Sequence, residues 1–394
     1  MNTLDNVRKG STMVNTHSRN TRFRSLSTGL AASAALALLL TSPKSAVAQA
    51  YTITNLGSLG GDSKAFGLGA NSTAAGTSVL ADSTTTHAFL TRSGGTIQDL
   101  GTLGGVNSGG TAIADGALTQ VVGYSDTGVG ATQHAFLYTS GGVGGPAGNP
   151  QMRDLGTLSG VNTDNSTANG LNTLGQVVGD STTSSATNGQ THAFRTGPNL
   201  NLNGTTDDLG TLGGIRSSAN AVNISGQVVG NADRTDGNTH AFRSSANGAA
   251  NSLTDLGTLG GTISDATAIN ASGQVVGQSD LASADPNAVS RHAFVWTQGA
   301  TNGVAGNMQM TDLGSLGGDS QANGINDAGS IVGFSLLADG TTFDAFLYQN
   351  NQMVDLNSLI DPNSGWVLQY ASAINNNGQI AGYGLFNVGV TQLT

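Results

Sequence analysis

A seven-residue segment, Asp-Leu-Gly-Thr-Leu-Gly-Gly at residues 255–261, recurs in near copies along most of the chain. The copies lead into an Ala-Ile-Asn type segment, then Gly-Gln-Val-Val-Gly, and then His-Ala-Phe. They start 43–57 residues apart, at Asn55, Asp99, Asp154, Asp208, Asp255, Asp312 and Asp355. Repeats of this length are typical of solenoids, propellers and other arrays, in which each unit buries its apolar surface against its neighbours.

Each unit is predicted to form four short strands. Val, Ile, Thr and turn-forming residues dominate, and no window places apolar residues at helical spacing. A period near 50 residues favours a β-propeller, whose blades run roughly 40–50 residues. We therefore predict a single all-β domain at residues 51–394, with seven four-stranded blades as the preferred arrangement. Six blades or an open β-solenoid are the alternatives.

The sharpest local signal is an Asn-x-x-Gly link between the Ala-Ile-Asn and Val-Val-Gly segments. Asparagine can cap a turn with its side chain, and glycine accepts a positive φ, so the link predicts a tight hairpin. Ring closure predicts that each His-Ala-Phe strand pairs with the strand that follows it. By the same rule, residues 51–56 should complete a sheet with residues 388–393. The five links begin at Asn172, Asn223, Asn270, Asn326 and Asn375.

Residues 1–50 are predicted to be a signal peptide. They contain a basic n-region, an apolar stretch at residues 30–40, and small residues that suit cleavage after Ala50. The alternative is an uncleaved membrane anchor, which the length disfavours because the 11-residue apolar stretch is shorter than the roughly 20 residues that span a bilayer. The sequence therefore predicts a secreted or extracellular protein, with the periplasm as an alternative, and no membrane insertion after cleavage.

Charge and cysteine content restrict the partners. Beyond residue 50 the chain carries 8 basic and 23 acidic residues, a net charge of −15, and every acidic residue is aspartate. Such a surface disfavours binding to nucleic acid. Cysteine is absent from the chain, so disulfides and thiolate metal sites are excluded.

The histidines of the mature chain all fall in the repeat motif. An active site usually uses one histidine in one cleft, so fivefold repetition favours a structural role, a hydrogen bond at the start of a strand. The accompanying Phe is predicted to lie in the core. Asp344 replaces the histidine in the sixth unit, which fits a polar anchor better than a metal ligand. The five histidines are His87, His134, His192, His240 and His292.

No residue is assigned as catalytic, cofactor-binding or metal-ligating. Asp62 and Asp319 could contribute to calcium sites, although no complete calcium loop is present. Two aromatic residues that depart from the repeat, Trp366 and Tyr370, are the candidate ligand contacts, for example by stacking on a sugar. Their alternative role is a hydrophobic patch that closes the last blade.

At these motifs the chain resembles the HAF-repeat family of exported bacterial proteins. The resemblance rests on His-Ala-Phe, Asp-Leu-Gly-Thr-Leu-Gly-Gly and Ile-Asn-x-x-Gly-Gln-Val-Val-Gly, and it covers essentially all of residues 51–394. The first and last units depart from the pattern. The resemblance implies an extracellular protein of uncharacterised role and supplies no catalytic residues.

The expected function is that of a non-enzymatic binding or surface-interaction scaffold whose partner is a protein or a carbohydrate. The alternatives are a secreted carbohydrate-active enzyme and a lectin-like binder. An enzyme would need two carboxylates about 5–10 Å apart. Asp164, Asp236 and Asp285, which lie in variable loops, are the residues to examine.

Overall fold

The computed structural model is a β-propeller. It describes residues 32–39, 51–92, 96–130, 132–183, 190–248, 252–283 and 290–386, and for residues 32–39 only the backbone. Apart from one 3₁₀ turn, Leu356–Leu359, the regular elements in this part of the chain are β-strands. The prediction of an all-β propeller is confirmed.

Six blades are each formed by one continuous segment, with consecutive strands paired antiparallel. The first three are β3 (Gly60–Leu68), β4 (Ala74–Leu80), β5 (Thr86–Thr91) and β6 (Ile97–Asp99); β7 (Ser108–Asp115), β8 (Thr119–Asp126), β9 (Gln133–Thr139) and β10 (Met152–Gly156); and β11 (Ser166–Leu171), β12 (Val177–Thr182) and β13 (Thr191–Arg195). The fourth to sixth are β14 (Gly213–Val222), β15 (Val228–Arg234), β16 (Thr239–Ser244) and β17 (Leu253–Asp255); β18 (Gly260–Ile269), β19 (Val275–Leu281), β20 (Arg291–Trp296) and β21 (Met310–Asp312); and β22 (Gly317–Ile325), β23 (Ile331–Leu337), β24 (Phe343–Gln349) and β25 (Gln352–Asp355).

A further sheet, called the end sheet below, combines distant parts of the chain. Its strands run in the order β2 (Thr52–Gly57), β1 (Ala32–Leu39), β27 (Ile380–Phe386) and β26 (Trp366–Ile374). The strand β1 lies within the predicted signal peptide and pairs antiparallel with both of its neighbours. It occupies the position that the His-Ala-Phe strand holds in the six blades. The predicted partner of residues 51–56, residues 388–393, lies outside the described residues.

The prediction of seven four-stranded blades from residues 51–394 is wrong. Six blades form in this way, the third of them with three strands, and the end sheet takes one strand from upstream of residue 51. The third blade lacks a regular outer strand because only an isolated bridge, Phe194 to Asp208, forms there. The repeat pattern could not reveal which strands the two irregular terminal units provide.

Strand pairing and turns follow the sequence closely. Each His-Ala-Phe strand pairs with the Asp-Leu-Gly segment that follows it, as in Phe294 opposite Asp312. The cassette therefore contributes the outermost strand of the preceding blade. In all five Asn-x-x-Gly links the glycine N–H donates to the asparagine carbonyl, and its φ is 72–83°. The hairpin prediction is confirmed.

The repeated phenylalanine forms the centre of the packing between blades. All six residues at this position, including Phe136 and Phe346, have 0% exposure. Phe136 of the second blade packs with Ala75 and Leu90 of the first. Because each blade covers the apolar face of its neighbour in this way, the core is a series of clusters around the ring. The prediction that these residues are core is confirmed.

A chain of asparagine side chains connects the hairpins from the third blade through the end sheet to the first blade. The side-chain Nδ2 of Asn223 donates to the carbonyl of Asn270 in the next blade, at 3.1 Å, and its Oδ1 caps its own turn. At the last link Asn375 donates to the carbonyl of Gly69 in the first blade, at 3.0 Å. This bond joins residues 306 positions apart and brings the end sheet against the first blade, which excludes the open solenoid.

Candidate functional site

Each of the five repeated histidines contacts the aspartate of the cassette that follows it. The distance from Nδ1 to a carboxylate oxygen is 2.7–3.0 Å in all five. The pairs are His87–Asp99, His134–Asp154, His192–Asp208, His240–Asp255 and His292–Asp312. In each the histidine lies near the start of the third strand and the aspartate lies at the outer position. The contact therefore ties together the outer part of the blade.

In two of the pairs the contact shifts the pKa of one member. The hydrogen bond to Asp154 outweighs burial and raises the pKa of His134. Burial alone would raise the pKa of Asp312, but hydrogen bonds from His292 and from the Gly314 N–H outweigh it and lower the pKa. These directions favour a protonated imidazole next to an ionised carboxylate.

The cassette at residues 255–261 connects two blades. Ser264 of the fifth blade donates to the Gly257 carbonyl at 2.6 Å and accepts from the Ala241 N–H of the fourth blade at 2.9 Å. The Leu259 N–H donates in turn to Ser279 at 2.8 Å. The repeated segment thus supplies backbone groups that form hydrogen bonds between one blade and the next. Equivalent serine contacts occur at Ser108, Ser166, Ser217 and Ser320.

In the sixth unit the histidine is replaced, and two carboxylates face each other. Asp344 is 8% exposed and lies against Asp355. Burial, followed by the charge of Asp355, raises the pKa of Asp344 to about 6. The carboxyl group therefore keeps its proton in mildly acidic solution, where the other five units hold a histidine–aspartate pair.

We expect this site to make stability depend on pH. The folded pKa of Asp344 lies above its ordinary value of 3.8, so the folded state holds the proton more tightly and the free energy of unfolding falls as pH rises from about 4 to 6. Asp344→Asn should remove this fall and gain about 1–2 kcal/mol at pH 7. Asp344→His, which restores the pair of the other units, should also remove the fall between pH 4 and 6, and any loss of stability should move above pH 6.5, the ordinary pKa of histidine. Thermal unfolding at pH 4 and 6 measures the effect, and an unchanged difference between the two pH values in both variants would contradict it.

The central channel is lined by the innermost strand of each of the six blades and of the end sheet. A cavity of about 250 Å³ lies there, and its walls combine apolar side chains such as Phe66 and Ile325 with asparagine, threonine, alanine and glycine. Asn169 donates to the Ala219 carbonyl and Thr267 to the Ala322 carbonyl, each in the next blade. The polar side chains of the channel thus serve to join blades.

The two aromatic candidates lie on β26 of the end sheet. The ring of Tyr370 stacks on Tyr383 with centroids 4.7 Å apart and lies 4.6 Å from Phe334 of the sixth blade. Trp366 lies 4.9 Å from the ring of Phe386. These contacts favour the alternative role, a hydrophobic patch that closes the ring. Sugar binding by either residue stays a prediction.

A further cavity lies between the second and third blades. Its volume is about 450 Å³, and the side chains of His134, Arg153 and Asp154 form part of its wall. Among the described residues, two buried side-chain atoms lack a hydrogen-bond partner, His134 Nε2 and Arg153 Nε. Both residues line this cavity, but the two atoms are themselves buried beneath its surface. A buried polar group without a partner is rare enough to require an explanation.

The fourth blade provides an internal comparison. Its cavity also contains a histidine, an aspartate and an arginine, namely His240, Asp255 and Arg234. There the arginine turns toward the other two, with Nε 3.5 Å from Asp255 and Nη1 3.3 Å from His240 Nε2. The same three residue types therefore satisfy one another in the fourth blade, whereas in the second blade Arg153 reaches away to the Asn199 carbonyl at 2.9 Å.

Arg153 is not among the residues that the repeated motifs indicate. A signal is nevertheless present in the sequence, because Arg153 is the arginine that directly precedes a cassette aspartate, where the other units have Thr, Gln, Asp or Val. By motif alone, His134 is equivalent to the other repeated histidines. Burial separates them, since its side chain is 3% exposed and that of His292 is 20% exposed.

Two of the aspartates proposed for an enzyme lie in turns of their own loops. The Asp236 carboxylate lies 3.5 Å from Arg234 and accepts from the Asn238 N–H, and the backbone N–H of Asp164 donates to the Val161 carbonyl. Asp285 lies outside the described residues. Asp319 accepts from the Arg291 N–H at 3.0 Å. Within the described ranges, no group of three or more His or Asp side chains is arranged to hold a metal ion, and calcium binding stays a prediction.

No helix in the described part of the chain has the length and apolar character needed to cross a membrane. Neither a protein-family model nor a curated protein sequence matches this chain. The resemblance to the HAF-repeat family therefore remains an interpretation of the motifs.

Proposed function

We propose that this protein is an exported, non-enzymatic scaffold that binds a protein or a carbohydrate. One observation carries the proposal. The repeated histidine–aspartate pairs join strands within a blade, and the repeated serines join neighbouring blades, so the fold itself uses these polar side chains. A binding function in which the ring is a rigid support and the residues outside the repeat hold the ligand accounts for this use.

The non-enzymatic part rests on the use of the histidine–aspartate pairs. A catalytic pair would orient an imidazole toward a substrate in one cleft. Here the arrangement is repeated in five blades, and each pair links the third strand to the outer position. Export rests on the predicted signal peptide at residues 1–50, and the ligand would then be met outside the cytoplasm.

A binding screen tests the proposal. We expect the purified protein to give saturable binding to members of one ligand class on glycan and protein arrays, and heat-unfolded protein to give none. Parallel assays with and without calcium test the metal, and release of reducing ends from polysaccharides tests the enzyme alternative. Polysaccharide cleavage, or an empty screen on both arrays, would contradict the proposal.

A further inference from the structure

We propose that this protein forms a two-fold dimer in which the second to fourth blades of two copies meet through one side of the ring. That side, called the hairpin face, carries the link between the first and second strands of each blade. The opposite side, called the cassette face, carries the cassettes and the links between the second and third strands. The inference goes beyond the proposed function, because it requires no ligand.

Charge is divided unequally between the two faces. The repeated phenylalanines and the residues paired with them mark the boundary, as Phe294 does with Gly277 and Asp312, and they are counted with the cassette half. Beyond residue 50, the cassette half holds 19 of the 22 described aspartates and four basic residues. The hairpin half holds three aspartates and four arginines, namely Asp115, Asp207, Asp327, Arg92, Arg153, Arg195 and Arg243. The cassette half is therefore strongly negative, and the hairpin half is close to neutral.

The hairpin face of the second to fourth blades exposes large apolar side chains. Leu118, Leu174 and Ile224 lie in three successive links between first and second strands and are 46–54% exposed. Val143 and Leu200 lie in the segments that follow the third strands of the second and third blades and are 86% and 59% exposed. These five side chains are called the apolar patch below. Exposed apolar residues grouped on one face are typical of interaction sites.

The apolar patch is continuous from the second blade to the third. Leu118 and Val143 line one cavity of about 250 Å³ together with Asn199, the residue before Leu200. The Asn199 N–H donates to the Gly175 carbonyl in the link of the third blade at 2.8 Å. Backbone contacts therefore hold the two segments of the patch beside each other.

The contact between the third and fourth blades extends the patch. The side chain of Asn172, in the link of the third blade, donates to the Asn223 carbonyl in the link of the fourth at 2.9 Å. Leu174 and Ile224 belong to these two links. The patch therefore lies on a support that the inter-blade hydrogen bonds make rigid.

A second copy of the chain is the partner that suits the apolar patch. About a two-fold axis the same surface of each copy meets itself, so the contact needs apolar side chains and little net charge. The hairpin half provides both. Two of its arginines are held within the fold, since Arg195 donates to the Gly226 carbonyl at 2.9 Å and Arg243 to the Gly273 carbonyl at 3.2 Å.

The charge of the cassette face determines the orientation of the two copies. Two cassette faces would repel each other, and a hairpin face on a cassette face would remove water from carboxylates without pairing them. When the hairpin faces meet, the cassette faces point away from each other. The innermost strands of the fourth and fifth blades have 10 residues, which span about 33 Å, whereas charges are screened over about 8 Å. The arrangement therefore closes as a dimer and does not continue as a filament.

Sedimentation velocity on the full chain, from about 1 to 100 μM, tests the proposal. We expect the mass to rise from that of one chain to that of two, and the association to persist when NaCl is raised from about 0.15 to 0.5 M, because salt does not screen an apolar contact. Leu174→Asp and Ile224→Asp should each raise the dissociation constant by at least about tenfold. The two-fold axis places each new carboxylate in the interface twice.

Matched variants on the cassette face are the control. Val106→Asp and Ile215→Asp add the same charge at apolar residues that are 61% and 55% exposed, so they should leave the association unchanged. Thermal unfolding identifies any variant that fails to fold. Equal effects of the two pairs of variants, or no effect of the hairpin-face pair, would overturn the proposal. So would a chain that stays monomeric up to about 100 μM, including one that binds phosphatidylcholine vesicles through the apolar patch instead.

Spin labels test the orientation of the copies. The chain has no cysteine, so Thr173→Cys on the hairpin face and Thr235→Cys on the cassette face each carry a single label. Both residues are exposed. We expect pulsed electron paramagnetic resonance to give a shorter distance between copies for labels at residue 173 than for labels at residue 235. The reverse order would show that the copies meet through another face.

Discussion

Gly277→Ala is expected to lower the free energy of unfolding by about 3 kcal/mol, a value at the upper end for overpacking. Gly277 is the last residue of a Val-Val-Gly segment, on the second strand of the fifth blade. A Cβ built there would overlap the carbonyl oxygen of Asp265 on the first strand. The register of these two strands shifts between Ala266 and Ala268, a bulge that brings the carbonyl toward the glycine. Because both strands also pack against neighbouring blades, neither can move away easily.

In all six blades and the end sheet, a Cβ at the equivalent glycine would overlap a carbonyl oxygen of the neighbouring strand. The prediction therefore applies to every unit of the repeat. The equivalent glycines are Gly76, Gly123, Gly179, Gly230, Gly333 and Gly382. Gly148→Ala is the matched control, because a Cβ there meets no atom within 4 Å. Urea unfolding of the two variants measures the difference. Equal stability of Gly277→Ala and Gly148→Ala would contradict the prediction, because it would mean that the strands move apart to accommodate the added Cβ at little energetic cost.

The sequence predicted the parts of the fold that depend on neighbouring residues. The Asn-x-x-Gly hairpins, the buried phenylalanines and the pairing of each His-Ala-Phe strand with the next cassette all follow from local chemistry and period. The bulge opposite Gly277 could not be predicted, because it depends on a shift in the pairing register between the first and second strands of the blade. From the sequence alone, Gly277 could therefore be placed in a strand, but the need for a glycine at that position could not be predicted.

The contacts of the candidate site could not be predicted from the repeat pattern. Whether a histidine has a free nitrogen depends on what the next blade places against it, and that placement differs between units. Arg234 turns toward His240 in the fourth blade, whereas Arg153 of the second blade reaches the Asn199 carbonyl of the third blade. Among the described residues, His134 Nε2 has no hydrogen-bond partner. The repeat pattern describes what the units share, so it does not reveal that the second blade differs from the fourth in these contacts.

A chain that begins at Tyr51 is expected to lose most of the protection of the end sheet. It lacks β1, whose backbone pairs with β2 on one side and with β27 on the other. Neighbouring strands lie about 4.8 Å apart, so β2 and β27 would face each other across roughly twice that distance, too far for hydrogen bonds. Amide hydrogen exchange in Thr52–Gly57 and Ile380–Phe386 should then rise by more than about tenfold, and the melting temperature should fall by several degrees.

The control is a chain that begins at Ala32, which keeps β1 and removes the basic residues before it. It should match the full chain in exchange and in melting temperature. Exchange in Val228–Arg234 of the fourth blade, far from the end sheet in the ring, should stay the same in all three chains. If the chain from Tyr51 is as protected as the chain from Ala32, another segment fills the third-strand position, and residues 388–393 are the segment that the sequence predicts. The comparison therefore decides whether cleavage after Ala50 would open the ring or transfer its closure to the other end of the chain.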